Sequence, residues 1–303
     1  MQTSKFGLLY NNATLFAVIT ISLWSGNIIA GKFAAGEISP LMLTMWRWFV
    51  AVAVMLLIGW RQLRADWAVI RQNLVPLFLY GAFGFAIFNG LLYCALNFTT
   101  AINVAIIQAT MPMFVFALNF RVFGFRMHPA HGIGYSITFI GVLLVASQGN
   151  LWQLAELHIN LGDGLILAAV AIYAAYSVAL HGKPQMHWMS FMTALSVAAA
   201  IISVPMAAAE YYLDNAIMPT NLAAWSIIFY TGVFPSVIAQ SLWVLTNERL
   251  GSNTTSLFLN LIPIFGALLA VIFLGETLYV YHMVALAMVV AGIITAQQLS
   301  RNA

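Results

Sequence analysis

Trp24 and Asn27 stand three residues apart, and Asn89 and Tyr93 four apart, each pair inside a long apolar run. On a helix such spacings share one face. Gln240 and Trp243 repeat the three-residue spacing late in the chain, and Tyr173, Tyr176 and Ser177 form a polar-aromatic stripe. Gln108 and Asn260 each precede a proline, Pro112 and Pro263, by about one helical turn. Amides donate and accept hydrogen bonds, while indole and phenol rings pack flat groups and cations. Chemistry of this kind recognises a small molecule with polar and apolar parts. Bond making is not expected: there is no HExxH, no GxSxG and no carboxylate pair at helical spacing within an apolar run. His128 and His131 have no companion ligands, so neither a metal nor a cofactor is expected.

Each of these residues also has a structural reading. Buried amides join helices to one another. Tryptophans and tyrosines near helix ends form the interfacial belt, which is expected to take Trp46, Trp48, Trp60, Trp67, Trp152, Trp188 and Tyr281. Pro112 and Pro263 each free a carbonyl four residues earlier and can act as hinges. Arg47 is the strongly basic residue within a predicted span; it reads equally as a carboxylate anchor and as a structural or gating group. Glu276 reads as a gate or as a solvated cap.

These positions need helices to hold them, and the composition says of which kind. The chain has 303 residues, 63% hydrophobic and 6% charged, whereas about a quarter of a soluble domain is charged. An integral membrane protein follows, with the bilayer as partner and no nucleic-acid signal in the formal charge of +3. A hydrocarbon core of ~30 Å takes about 20 residues per helix. Ten runs fit, at 13–33, 40–60, 74–95, 101–121, 130–148, 161–181, 187–209, 222–246, 253–273 and 279–298, with Pro219, Gly251 and Gly275 marking breaks. The single cysteine, Cys94, can form no intrachain disulfide.

Basic residues set the orientation. With the N-terminus in the cytoplasm, Lys5, Arg61, Arg64, Arg71, Arg121, Arg126, Lys183, Arg249 and Arg301 all fall inside, which is 9 of the 11. Glu37, Glu156, Glu210, Asp214 and Glu276 fall outside. This positive-inside skew puts both termini in the cytoplasm.

The chain also repeats itself about 150 residues on. Asn103 to Pro112 is matched by Thr254 to Pro263, Gly124 by Gly275, and Tyr80-Gly81 by Tyr230-Thr231. The expected organisation is a cytoplasmic segment 1–12, a five-helix unit 13–148, an outer loop 149–160 and a second five-helix unit 161–299. Five is odd, so the second unit is inverted, as in carriers whose site lies at the repeat interface.

Leu23-Trp24-Ser25-Gly26-Asn27, Ile38-Ser39-Pro40 leading to Trp46-Arg47-Trp48-Phe49, and Phe273-Leu274-Gly275-Glu276-Thr277-Leu278 resemble the EamA family of the drug/metabolite transporter superfamily. The resemblance covers nearly the whole chain. It departs at Gly124-Phe125-Arg126, where the first repeat lacks the glutamate of Gly275-Glu276-Thr277. It implies that helices one, three, four, six, eight and nine enclose a central cavity in a bacterial inner membrane. It further implies export of small metabolites such as amino acids or their derivatives. An importer of a small heterocycle or vitamin, and a facilitated-diffusion channel, remain as alternatives. Small-residue spacings such as Gly266/Ala270 allow close helix contact, but nothing calls for a homodimer.

Overall fold

The computed structural model describes residues 13–124, 129–150 and 160–301. The segment 1–12, the middle of the 149–160 loop with Trp152, and Phe125, Arg126 and His128 lie outside the described residues, as does the side chain of His131. Among the described residues ten helices carry the apolar runs. They are α1 (Ala13–Phe33), α2 (Pro40–Ala65), α3 (Leu74–Leu96), α4 (Ala101–Phe123), α5 (Pro129–Ala146), α6 (Leu161–Gly182), α7 (Trp188–Tyr212), α8 (Leu222–Thr246), α9 (Phe258–Leu274) and α10 (Val280–Arg301). Seven are long and apolar enough to cross a membrane; α5, α9 and α10 carry shorter apolar stretches. A short helix, Trp67–Gln72, bridges α2 and α3.

Helix ends follow local chemistry. Pro40 opens α2 after an extended Ser39, where its missing N–H removes no intrahelical bond. The side chains of Thr100, Asn160 and Asn221 accept from the N–H groups of Asn103, Gly162 and Ala224, so each caps the start of α4, α6 or α8. Gly124 and Gly275 close α4 and α9 at φ +69° and +65°, a left-handed conformation that disfavours any residue with a Cβ. Gly251 behaves otherwise than expected. It lies inside the helix Ala239–Ser256, and the break comes at the 3-10 turn Leu257–Leu261.

Inversion is visible in which helices meet. α2 packs on α7, α5 on α10, and α4 crosses α9; α1 packs on α8 and α9, as α6 packs on α3 and α4. Exchanging the two sets of five leaves this pattern unchanged. Each self-paired couple is antiparallel. Gly141 faces Ala285 while Gly292 faces Gly134, four residues related by the same offset that links Pro112 to Pro263. α2 and α7 hold each other's starts: Asp66 accepts from the His187 N–H (2.9 Å), and Glu210 accepts from Ser39 Oγ (2.6 Å), Leu41 N (3.1 Å) and Met42 N (3.0 Å). A carboxylate at a helix N-terminus meets both unpaired N–H groups and the positive end of the dipole.

Both prolines expected as hinges sit at interruptions. α4 is helical over Ala101–Gln108, turns at Ala109–Thr110 and resumes at Met111, with Pro112 in its first turn. α9 passes from 3-10 geometry to α-helix at Ile262, with Pro263 next. The half of α4 before its interruption touches the half of α9 after its own through Ala105 and Gly266, where a Cβ added to the glycine would collide with that of Ala105. Gly266→Val therefore forces α4 and α9 apart. The expected loss is about 1–3 kcal/mol, read as lower thermal stability in detergent, and an unchanged melting curve would contradict the crossing.

The symmetry breaks at one corner. α1 also packs against α3 and the first half of α4, with no equally extensive contact of α6 on α8 and α9. Every residue from Ala101 to Ile107 is buried, whereas Met111–Phe123 contributes no buried residue. On the face where α4 and α6 end, an apolar recess of about 250 Å³ lies between Leu118, Val122 and Phe123 on one side and Ala175, Val178 and His181 on the other. The bundle is closed where α4 begins and looser where it ends.

Candidate functional site

Arg47 lies on α2 and is 4% exposed. Its Nε donates to Ser236 Oγ (2.7 Å). Its Nη1 donates to Asn27 Oδ1 (3.0 Å), Asn89 Oδ1 (2.6 Å) and the Tyr93 hydroxyl oxygen. The ring closes on itself, because the Tyr93 hydroxyl donates to Asn27 Oδ1 (2.8 Å). Asn89 uses its Nδ2 on the Phe85 carbonyl (2.7 Å), so its oxygen is turned toward the guanidinium. The guanidinium carbon also lies 5.1 Å from the centre of the Trp48 ring and 5.8 Å from that of Tyr93. Every partner is uncharged, and among the described residues the two N–H groups on Nη2 have no acceptor.

Local structure explains how four helices converge there. α3 carries a π-helical stretch, Tyr80–Ile87, and α8 carries another, Phe234–Ile238. In α8 the cause is Pro235, which has no N–H for the carbonyl of Thr231. Ser236 Oγ donates to that carbonyl (2.7 Å) and accepts from Arg47. The Pro235 carbonyl in turn accepts from Trp24 Nε1 (3.3 Å). The bulge thus ties α1, α2 and α8 together.

Asn27, Asn89 and Tyr93 do share the inward faces that their spacing predicts, yet their polar atoms hold Arg47 and do not line an open cavity. As a structural or gating group, the other reading, Arg47 has no carboxylate partner among the described residues. Trp24 and Trp243 meet at 5.1 Å between ring centres, and Tyr173 meets Phe88 at 4.8 Å. All four rings are half-buried. Tyr176 instead lies in a buried aromatic cluster with Tyr80 and Phe85. Gln108 reaches back to the Val104 carbonyl at 3.5 Å. Gln240 and Asn260 are half-buried and make no side-chain hydrogen bond among the described residues. Trp48, expected in the interfacial belt, is 1% exposed and stacks on Phe85 at 4.8 Å; it forms part of the site's wall. Glu276 is half-buried and caps α4, accepting from Ala101 N (2.8 Å) and Ile102 N (3.0 Å). The residue missed in the sequence is Ser236. The signal for it was a Pro-Ser step inside an apolar run.

Ten helices in two inverted sets, enclosing a polar residue cluster within the bundle, define a multi-pass membrane transporter. The EamA-like transporter family model matches residues 11–147 and 160–296, and the chain belongs to that family. It is 26% identical over 272 residues to YyaM, an uncharacterized transporter of Bacillus subtilis, covering 89% of this chain and 88% of that one. An uncharacterized transporter of Archaeoglobus fulgidus is 26% identical over 266 residues, covering 86% and 89%. A solved crystal structure aligns with a TM-score of 0.66 at 21% identity over 96% of this chain and 98% of its own, which speaks to the fold alone.

Proposed function

We propose that the protein is a secondary carrier of a bacterial cytoplasmic membrane, with both termini inside, that exports small carboxylate-bearing metabolites by alternating access. Amino acids and their derivatives are the substrate class. The observation that carries this reading is Arg47, a buried cation whose partners are all neutral and whose Nη2 has two N–H groups left. A buried charge without a counter-ion is costly. A substrate carboxylate supplies the missing charge and matches the guanidinium's paired geometry. The Trp24–Trp243 and Phe88–Tyr173 pairs offer apolar surfaces for a side chain, while Gln240 and Asn260 have amide capacity to spare for its polar groups.

In the positive-inside orientation the tightly packed corner where α4 begins faces outward and the recess between the ends of α4 and α6 faces the cytoplasm, which supports substrate entry from inside. Release requires the corner where α4 begins to part, and the interruptions at Pro112 and Pro263 let α4 and α9 exchange shapes. Counterflow tests the reading. Proteoliposomes holding the full chain and loaded with an unlabelled amino acid should accumulate the labelled one transiently above equilibrium. A linear, non-saturating flux without that overshoot would contradict a carrier.

A further inference from the structure

A second buried polar cluster lies in the closed corner, away from Arg47. Asp163, in the first turn of α6, is 3% exposed. Its Oδ1 accepts from Thr99 Oγ1 (2.6 Å) and, at 3.4 Å, from Asn103 Nδ2. Its Oδ2 is buried with no hydrogen-bond partner. No basic side chain is among its partners. Lys32 on α1 has its Nζ on the carbonyls of Leu96 (2.7 Å) and Thr99 (2.8 Å). On α10, Tyr281 lies near Asp163, and His282 Nε2 is 3.2 Å from Asn103 Oδ1. The Tyr279 N–H donates to His282 Nδ1 (3.1 Å), so the ring proton sits on Nε2 and the imidazole is neutral. Glu276, at the end of α9, is held by the start of α4.

An ionised carboxylate in this setting has one oxygen bonded, one bare and no counter-ion. The α6 dipole favours the charge only weakly, and it does not offset the larger cost of removing an ion from water. A proton on Oδ2 removes the charge and leaves Oδ1 to accept from Thr99. The corner is also tight: a Cβ on Gly162 would lie 2.6 Å from the Ala95 carbonyl and 2.9 Å from Thr99. Parting α6 from the α3–α4 corner must therefore wet Asp163.

We propose that Asp163 is a proton-binding site, loaded when this face is closed and emptied when it opens. Each closure takes up one proton from the outer side and each opening returns it, so acid outside holds the face closed. The proposal rests on the alternating access argued above.

The test uses cells producing the full chain as Cys94→Ser with Ile102→Cys, a buried position in the closed corner. An impermeant maleimide reports opening, normalised to Phe98→Cys, which is 53% exposed and corrects for thiol ionisation. Normalised labelling should fall at least tenfold between about pH 8 and pH 5 outside. With Asp163→Asn it should be slow and flat across that range, and with His282→Gln the slope should persist. Thr99→Val, which removes a donor to the carboxylate, should move the midpoint to higher pH. Finite labelling that ignores pH, or a slope that survives Asp163→Asn, overturns the proton site alone. Labelling that is nil at every pH, substrate present or not, overturns alternating access and this proposal with it.

Discussion

Arg47→Met should lower transport of a carboxylate substrate by about a hundredfold in kcat/KM, equivalent to about 2.7 kcal/mol, while the protein still inserts and folds. The magnitude follows from charge-assisted hydrogen bonds of about 1.5–3 kcal/mol each, formed in a site removed from water. Stability should change little. The substitution deletes a buried charge that has no counter-ion, which offsets the hydrogen bonds lost with Ser236, Asn27, Asn89 and Tyr93. Arg47→Lys separates charge from geometry. An ammonium keeps the charge but cannot reach Ser236 on one side and Asn27 on the other while presenting a paired face. It should recover a small part of the activity. Wild-type kcat/KM in Arg47→Met, in protein of normal yield, would remove Arg47 from the substrate site.

Glu276→Ala should open the closed face. The carboxylate bonds two N–H groups at the start of α4, at 2.8 and 3.0 Å. With the helix dipole the pair contributes about 2 kcal/mol to closure, so the equilibrium should move toward opening by roughly thirtyfold. Labelling of a cysteine at Ile102 in the Cys94→Ser background measures the shift, and Glu276→Gln, which keeps one acceptor, should fall between. Labelling equal to that of the parent would show that Glu276 does not latch the corner. The opposite face has no equivalent carboxylate, because Phe125 stands where the second repeat has Glu276. One latch on one face gives the two conformations unequal energies, and it agrees with closure at the corner that carries the glutamate.

What could be read from the chain alone was local or periodic. A four-residue spacing places Asn89 and Tyr93 on one face whatever surrounds them, and a proline in an apolar run interrupts a helix wherever it lies. The family motifs gave the architecture. What spacing does not contain is the register between helices. That Asn27, Asn89, Tyr93 and Ser236 meet at one guanidinium depends on where four helices stop, and on a π bulge that turns Ser236 inward. Trp48 was misplaced for the same reason: its position near a helix start suggests the belt, but its ring lies against Phe85. Asp163 escaped notice because it follows a polar loop by a single turn, where acidic residues are ordinarily solvated. Gly251 stayed helical although glycine favours a break.

Substrate recognition rests on a carboxylate meeting Arg47, and altering the ligand tests that without altering the fold. Counterflow should be driven by an amino acid that the protein accepts and fail, by at least fiftyfold in apparent affinity, for its carboxamide, which has the same shape and no negative charge. Equal counterflow by acid and carboxamide would contradict it.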